Sequence, residues 1–120
     1  MATTTALQPK VKGGSFLIGE RHPEEIFTPE DLTDEHRQIA RTTDEYFYNE
    51  VVPHLEAIEH KDFALVRRLL VKAGELGLLS IDIPEKYGGM ELDKVSSMVA
   101  SEHISKNGSF SGAFGAHSGI

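Results

Sequence analysis

Gly108, Gly112, Gly115 and Gly119 recur at steps of four, three and four, the offsets at which residues stack on one side of an α-helix. A helix over this stretch has one face without side chains. Each interior glycine costs roughly 0.5–1 kcal/mol relative to alanine, so such a face needs a compensating use. Either a second backbone packs against it or a ligand fills the space. Other chemistry-bearing residues are sparse. None of the six histidines has an acid three residues before it, and no H-E-x-x-H occurs, so no metal site is expected. His36, His54 and His60 read as surface residues at helix ends. His117, two residues after Gly115, points away from the glycine face and reads as a structural histidine rather than a ligand. Gly88-Gly89 is too short for a phosphate-binding loop, and neither G-x-G-x-x-G nor a P-loop is present. Ser109 and Ser111 lack an adjacent base and read as helix-capping residues, not nucleophiles.

The chain that must position these residues has 120 of them, 39% hydrophobic and 26% charged, enough for one modest core. A formal net charge of −7 argues against a nucleic-acid surface, and the densest basic patch, Arg67, Arg68 and Lys72, reads as a solvated helix face. The absence of cysteine excludes disulfides, thiolate metal sites and a cysteine nucleophile. No targeting pattern opens the chain and no apolar run approaches the roughly 20 residues of a membrane helix, so the cytoplasm is the expected location.

Residues 1–27 read as a flexible leader or arm, with Gly13-Gly14 and an apolar island at Ser15–Ile18, and residues 28–120 as one domain. Thr28-Pro29-Glu30-Asp31 carries a helix-start signal that Thr33-Asp34-Glu35 repeats. The helix that follows places Ile39, Thr43, Tyr46, Phe47 and Val51 on one face, and Pro53 is expected to kink or end it near Val51. Leu55 and Ile58 continue the apolar face. Asp62 caps a further helix with Leu65, Leu69, Leu70, Ala73 and Leu76 inside and Gly77 as its stop. Ile81–Pro84 is short and extended, Tyr87-Gly88-Gly89 turns, and Asp93 opens a helix with Val95, Met98, Val99 and Ile104 inside. Lys106-Asn107-Gly108 breaks it before the glycine-striped helix. The expectation is an all-α domain of four or five helices in a bundle-like arrangement.

The run Gly74-Glu75-Leu76-Gly77-Leu78-Leu79-Ser80-Ile81-Asp82-Ile83-Pro84-Glu85-Lys86-Tyr87-Gly88-Gly89 resembles the signature of the N-terminal helical domain of acyl-CoA dehydrogenases. Glu50-Val51-Val52-Pro53 upstream and Ser101-Glu102-His103-Ile104 downstream agree with it in order, and the similarity covers residues 28–120. His54 and the absence of tryptophan depart from the pattern of many relatives. The resemblance implies an enzyme of three domains in which FAD is held by the later two. A glutamate of the last domain would remove the α-proton of a fatty acyl-CoA, hydride would pass to the flavin, and an electron-transfer flavoprotein would collect the electrons. A homo-oligomer is expected at full length.

This stretch would lack the catalytic base and the cofactor-binding residues, so it is expected to be inactive alone, with no FAD bound. The resemblance makes Gly112, Ala113, Gly115 and Ala116 walls of the acyl tunnel, left open for long chains as in the very-long-chain branch. Packing of the stripe against a neighbouring helix is the plainer alternative. The last helix carries no stop signal, so the sequence reads as incomplete at that end. The competing reading is a stand-alone helical interaction module without catalysis.

Overall fold

The structure, a computed structural model, describes residues 10, 11 and 13–119. They divide into two units, one ending at Leu32 and one beginning at Thr33.

The leader expected over 1–27 lies partly outside the described residues, at positions 1–9 and 12. The rest of the first unit consists of short 3-10 turns at Gly13–Leu17, Pro23–Glu25 and Pro29–Asp31. It is tied by a backbone bond from Val11 N–H to Glu25 O (2.7 Å) and an ion pair of Lys10 with Asp31 at 3.4 Å. The first helix-start signal thus yields only a turn: Thr28 N–H donates to the Asp31 carboxylate, but Leu32 leaves helical geometry at ψ 130° and the chain restarts at Thr33.

In the second unit, α1 (Asp34–Tyr46) begins with the Thr33 hydroxyl accepting from His36 N–H at 3.2 Å. It runs into a π-helical segment, Phe47–Val51, and a 3-10 turn, Val52–His54, before α2 (Leu55–Glu59). Pro53, which supplies no N–H, sits in that turn, so the helix is deformed near Val51 as its position implies. The next helix, α3 (Phe63–Glu75), is capped by Asp62, whose carboxylate accepts from Leu65 N–H at 3.0 Å, and it stops at Gly77, at φ +80°. Asp93 caps α4 (Lys94–Ile104) and Asn107 caps α5 (Gly108–Ser118). All regular structure among the described residues is helical, as the all-α expectation required.

The core joins Tyr46, Phe47, Val51 and Ile58 to Leu65, Leu69 and Ala73 of α3 and to Ile104, Phe110 and Phe114. One expected face is rotated and another is narrower. In α4, Val99 and Ile104 are inside, but Met98 is 69% exposed and Val95 only half-buried; Ser96 and Ala100 are buried instead, because α4 packs chiefly on α1 through that side. In α3, Leu76 is exposed and Leu70 half-buried, so the stripe narrows to Leu65, Leu69 and Ala73.

Between α3 and α4 the chain doubles back on itself. Met90, Glu91 and Leu92 donate backbone N–H groups to Ser80, Ile83 and Ile81 carbonyls at 2.8–2.9 Å. Glycine is obligatory at position 89, where a Cβ would lie 2.0 Å from the Ile83 carbonyl oxygen.

His36 contradicts the expectation of a surface residue. It is 3% exposed: its Nδ1 accepts from Thr33 N–H at 3.1 Å, and its Nε2 lies 3.1 Å from both carboxylate oxygens of Asp93. With Nδ1 accepting, the neutral imidazole carries its proton on Nε2 and donates it to Asp93. Asp93 in turn accepts from the N–H and hydroxyl of Ser96, so one network ties the starts of α1 and α4 together. His54 and His60 are exposed, as expected.

Candidate functional site

Asn107 begins the glycine-striped helix. Its side-chain oxygen accepts from Phe110 N–H at 2.8 Å, and its amide nitrogen donates to Glu59 of α2 at 3.2 Å. Ser109 and Ser111 are therefore not the caps. Ser111 bonds the Gly108 carbonyl within its own helix, and the Ser109 hydroxyl, together with Asn107, holds the Glu59 carboxyl below its ordinary range. Both hydroxyls are engaged, and neither has a base positioned to make it a nucleophile.

Phe110 and Phe114 fasten α5 to the core, fully buried, with the Phe110 ring 6.3 Å from that of Tyr46. At 100° per residue the glycines fall on the side opposite these two rings. A Cβ built at Gly108, Gly112 or Gly115 would meet nothing within 4 Å. Packing of the stripe on a neighbouring helix is thus not its use among the described residues. Gly119 differs, since a Cβ there would press on the Gly115 carbonyl at 3.0 Å. Of the four residues singled out from the sequence, Gly112 and Ala116 are exposed on or beside the open face, Gly115 is half-covered on it, and Ala113 is half-covered on the flank towards Phe110. His117 is exposed, away from the glycines.

A groove that sequence reasoning did not find, of about 540 Å³, runs between α4, residues 78–82 and the end of α5, with Leu79, Ile81, Met98 and Phe114 among its walls. At its rim Lys94 pairs with Asp82; that ammonium, more than any other neighbour, keeps the Asp82 carboxyl low against the opposing effect of burial. The groove lies on the phenylalanine side of α5, and Gly112, Ala113, Gly115 and Ala116 do not line it. The signal for it was the spacing of Met98 and Ser101 on α4, which only the rotated packing of that helix turns outward.

In the Gly88-Gly89 turn, Gly88 at φ +84° has nothing within 4 Å of a Cβ position, whereas Gly89 is closed against the Ile83 backbone. No group of three or more His, Asp or Glu among the described residues could hold a metal ion, and no helix among them is long and apolar enough to cross a membrane.

Residues 33–120 match the family described as acyl-CoA dehydrogenase, N-terminal domain. A probable acyl-CoA dehydrogenase of Bacillus subtilis is 53% identical over 109 residues, which is 91% of this chain and 18% of the relative. The mitochondrial isovaleryl-CoA dehydrogenase of Pongo abelii is 30% identical over 91 residues, 74% of this chain and 22% of that protein. Among solved structures, an acyl-CoA dehydrogenase of Bacillus anthracis complexed with FAD superposes with a TM-score of 0.82 at 52% identity, over 88% of this chain and 18% of that one. The chain thus spans about a fifth of the length of these relatives. On this agreement of sequence and fold, the chain belongs to the acyl-CoA dehydrogenase N-terminal domain family.

Proposed function

We propose that this chain is the first domain of an FAD-dependent dehydrogenase that introduces an α,β double bond into a long-chain fatty acyl-CoA, and that the glycine face of α5 walls the acyl tunnel at Gly112, Ala113, Gly115 and Ala116. The observation that carries the reading is the open face itself: Gly112 and Gly115 have nothing within 4 Å of a Cβ position, on a helix fixed from behind by Phe110 and Phe114. A small-residue face held rigidly outward leaves room for an apolar chain, and each CH₂ it buries contributes about 0.8 kcal/mol. In this reading residues 28–120 form that domain and 1–27 a flexible leader or arm. FAD and the base belong to the rest of the enzyme, and no residue here is assigned to either. An electron-transfer flavoprotein is the proposed electron acceptor, a homo-oligomer the working assembly and the cytoplasm its location.

The test is replacement of Gly112 or Gly115 by Leu or Gln in the full-length enzyme. A leucine side chain displaces about four CH₂ equivalents, so preference should move towards shorter acyl chains, with kcat/KM for the longest substrates falling at least about tenfold. An unchanged chain-length profile would refute the tunnel assignment.

A further inference from the structure

The outward side of α3 presents Arg67, Val71 and Glu75 at successive steps of four, a positive, an apolar and a negative residue in one line. All three are exposed, Val71 by 56%, and they line a shallow groove of about 630 Å³ together with Ala64, Arg68 and Lys72. Phe63, 73% exposed, stands at the start of the same helix. Lys72 is neutralised by Glu50 within the unit, but Arg67, Arg68 and Glu75 have no ion-pair partner among the described residues. Two arginines and a glutamate without ion-pair partners thus flank an exposed valine on one side of α3, with an exposed phenylalanine at its start.

The order of the line identifies what fits it. Two copies of α3 laid antiparallel about a two-fold axis at Val71 bring residue 67 of each opposite residue 75 of the other. Val71 then meets Val71 of the second copy on the axis, and two Arg–Glu pairs flank that contact. A two-fold interface must be self-complementary, and plus-apolar-minus read against its own reverse is. We propose that this face of α3 binds a second copy of the same chain through an antiparallel α3–α3 contact. The inference is independent of the acyl-tunnel reading, which concerns α5. A helix of 13 residues is about 20 Å long, and one such pair buries less than the roughly 1,200 Å² typical of stable specific interfaces. The association is therefore weak, populated at high micromolar concentration, and strengthened wherever other contacts hold two copies together.

Sedimentation equilibrium of the 120-residue chain from about 10 μM to 1 mM tests it, with circular dichroism to verify folding of each variant. Arg67→Glu and Glu75→Arg each place like charges opposite one another twice and should weaken self-association by about tenfold or more. The double variant R67E/E75R reverses the line and should recover it, as should an equimolar mixture of the two single variants. Val71→Cys, in a chain with no other cysteine, should form a disulfide dimer under mild oxidation. A chain monomeric throughout this range, or a dimer indifferent to either single charge reversal, overturns the proposal, as does loss in the single variants without recovery in the mixture.

Discussion

Replacing His36 by alanine removes an acceptor from Thr33 N–H and a donor from the Asp93 carboxylate, both at 3.1 Å, and empties a site that is 3% exposed. The first bond is neutral and contributes about 1 kcal/mol. The second is charge-assisted, but the Asp93 side chain is 61% exposed, so screening brings it down to about 1 kcal/mol as well. With the lost packing, the total is about 2–3 kcal/mol, or a fall in Tm of about 10–20 °C for a unit of this size. Urea denaturation of four proteins resolves the parts: wild type, His36→Ala, Asp93→Ser and the double variant. Serine still caps α4 but is too short to reach the imidazole, so the cycle isolates the cross-helix bond, with an expected coupling of about 1 kcal/mol. His36→Gln, which keeps an acceptor at the third helical position, should recover about 1 kcal/mol of the loss. A loss below about 0.5 kcal/mol for His36→Ala, or a coupling energy indistinguishable from zero, would refute the argument that this network clamps α1 to α4.

The glycines should divide into two classes by thermal melting. Gly112→Ala, inside a helix and facing open space, should raise stability by about 0.5–1 kcal/mol, whereas Gly89→Ala, with its Cβ 2.0 Å from a backbone oxygen, should cost more than about 3 kcal/mol or abolish folding; equal effects would be the wrong outcome. Tyr46→Phe removes a buried bond from the phenol to the Leu69 carbonyl at 2.6 Å and should cost about 1–2 kcal/mol in urea titrations. Stability should fall in acid through Asp44 and Asp93. Burial raises both carboxyls, but Lys106 and His103 outweigh it for Asp44, and Ser96 and His36 for Asp93, so both end below their ordinary values. A carboxyl lowered on folding stabilises above its unfolded pKa of about 3.9 and loses that contribution as pH drops through the folded value. Asp44→Asn should flatten the dependence below about pH 4, and a slope as steep as wild type would contradict it.

Where the sequence was legible, a local signal had little competition. Asp62 and Gly77 bound α3 because a carboxylate at one end and a left-handed glycine at the other act within a single turn. Pro53 marks the deformation after Tyr46 for the same reason. Failures came where a distant partner decided. Thr33-x-x-His36 carries histidine at the capping-box position normally held by Glu or Gln, and only Asp93, 57 residues away, explains why that side chain is inside. Met98 looked internal by periodicity, yet α4 is held against α1 by its Ser96 and Ala100 side, which small residues favour and hydrophobicity alone does not reveal. The glycine stripe was visible as a pattern, and its open side only as a structure.

The clamp between Thr33, His36, Asp93 and Ser96 also bears on the order in which the chain folds. α2 and α3 are neighbours in sequence and can pair early, whereas joining His36 to Asp93 closes a 57-residue loop, at an entropic cost of roughly 3–4 kcal/mol for a flexible chain. On this argument the closure is expected to form late, on the native side of the main barrier. Weakening the clamp should therefore leave the refolding rate almost unchanged and hasten unfolding, so His36 governs how long the domain persists rather than how quickly it is reached.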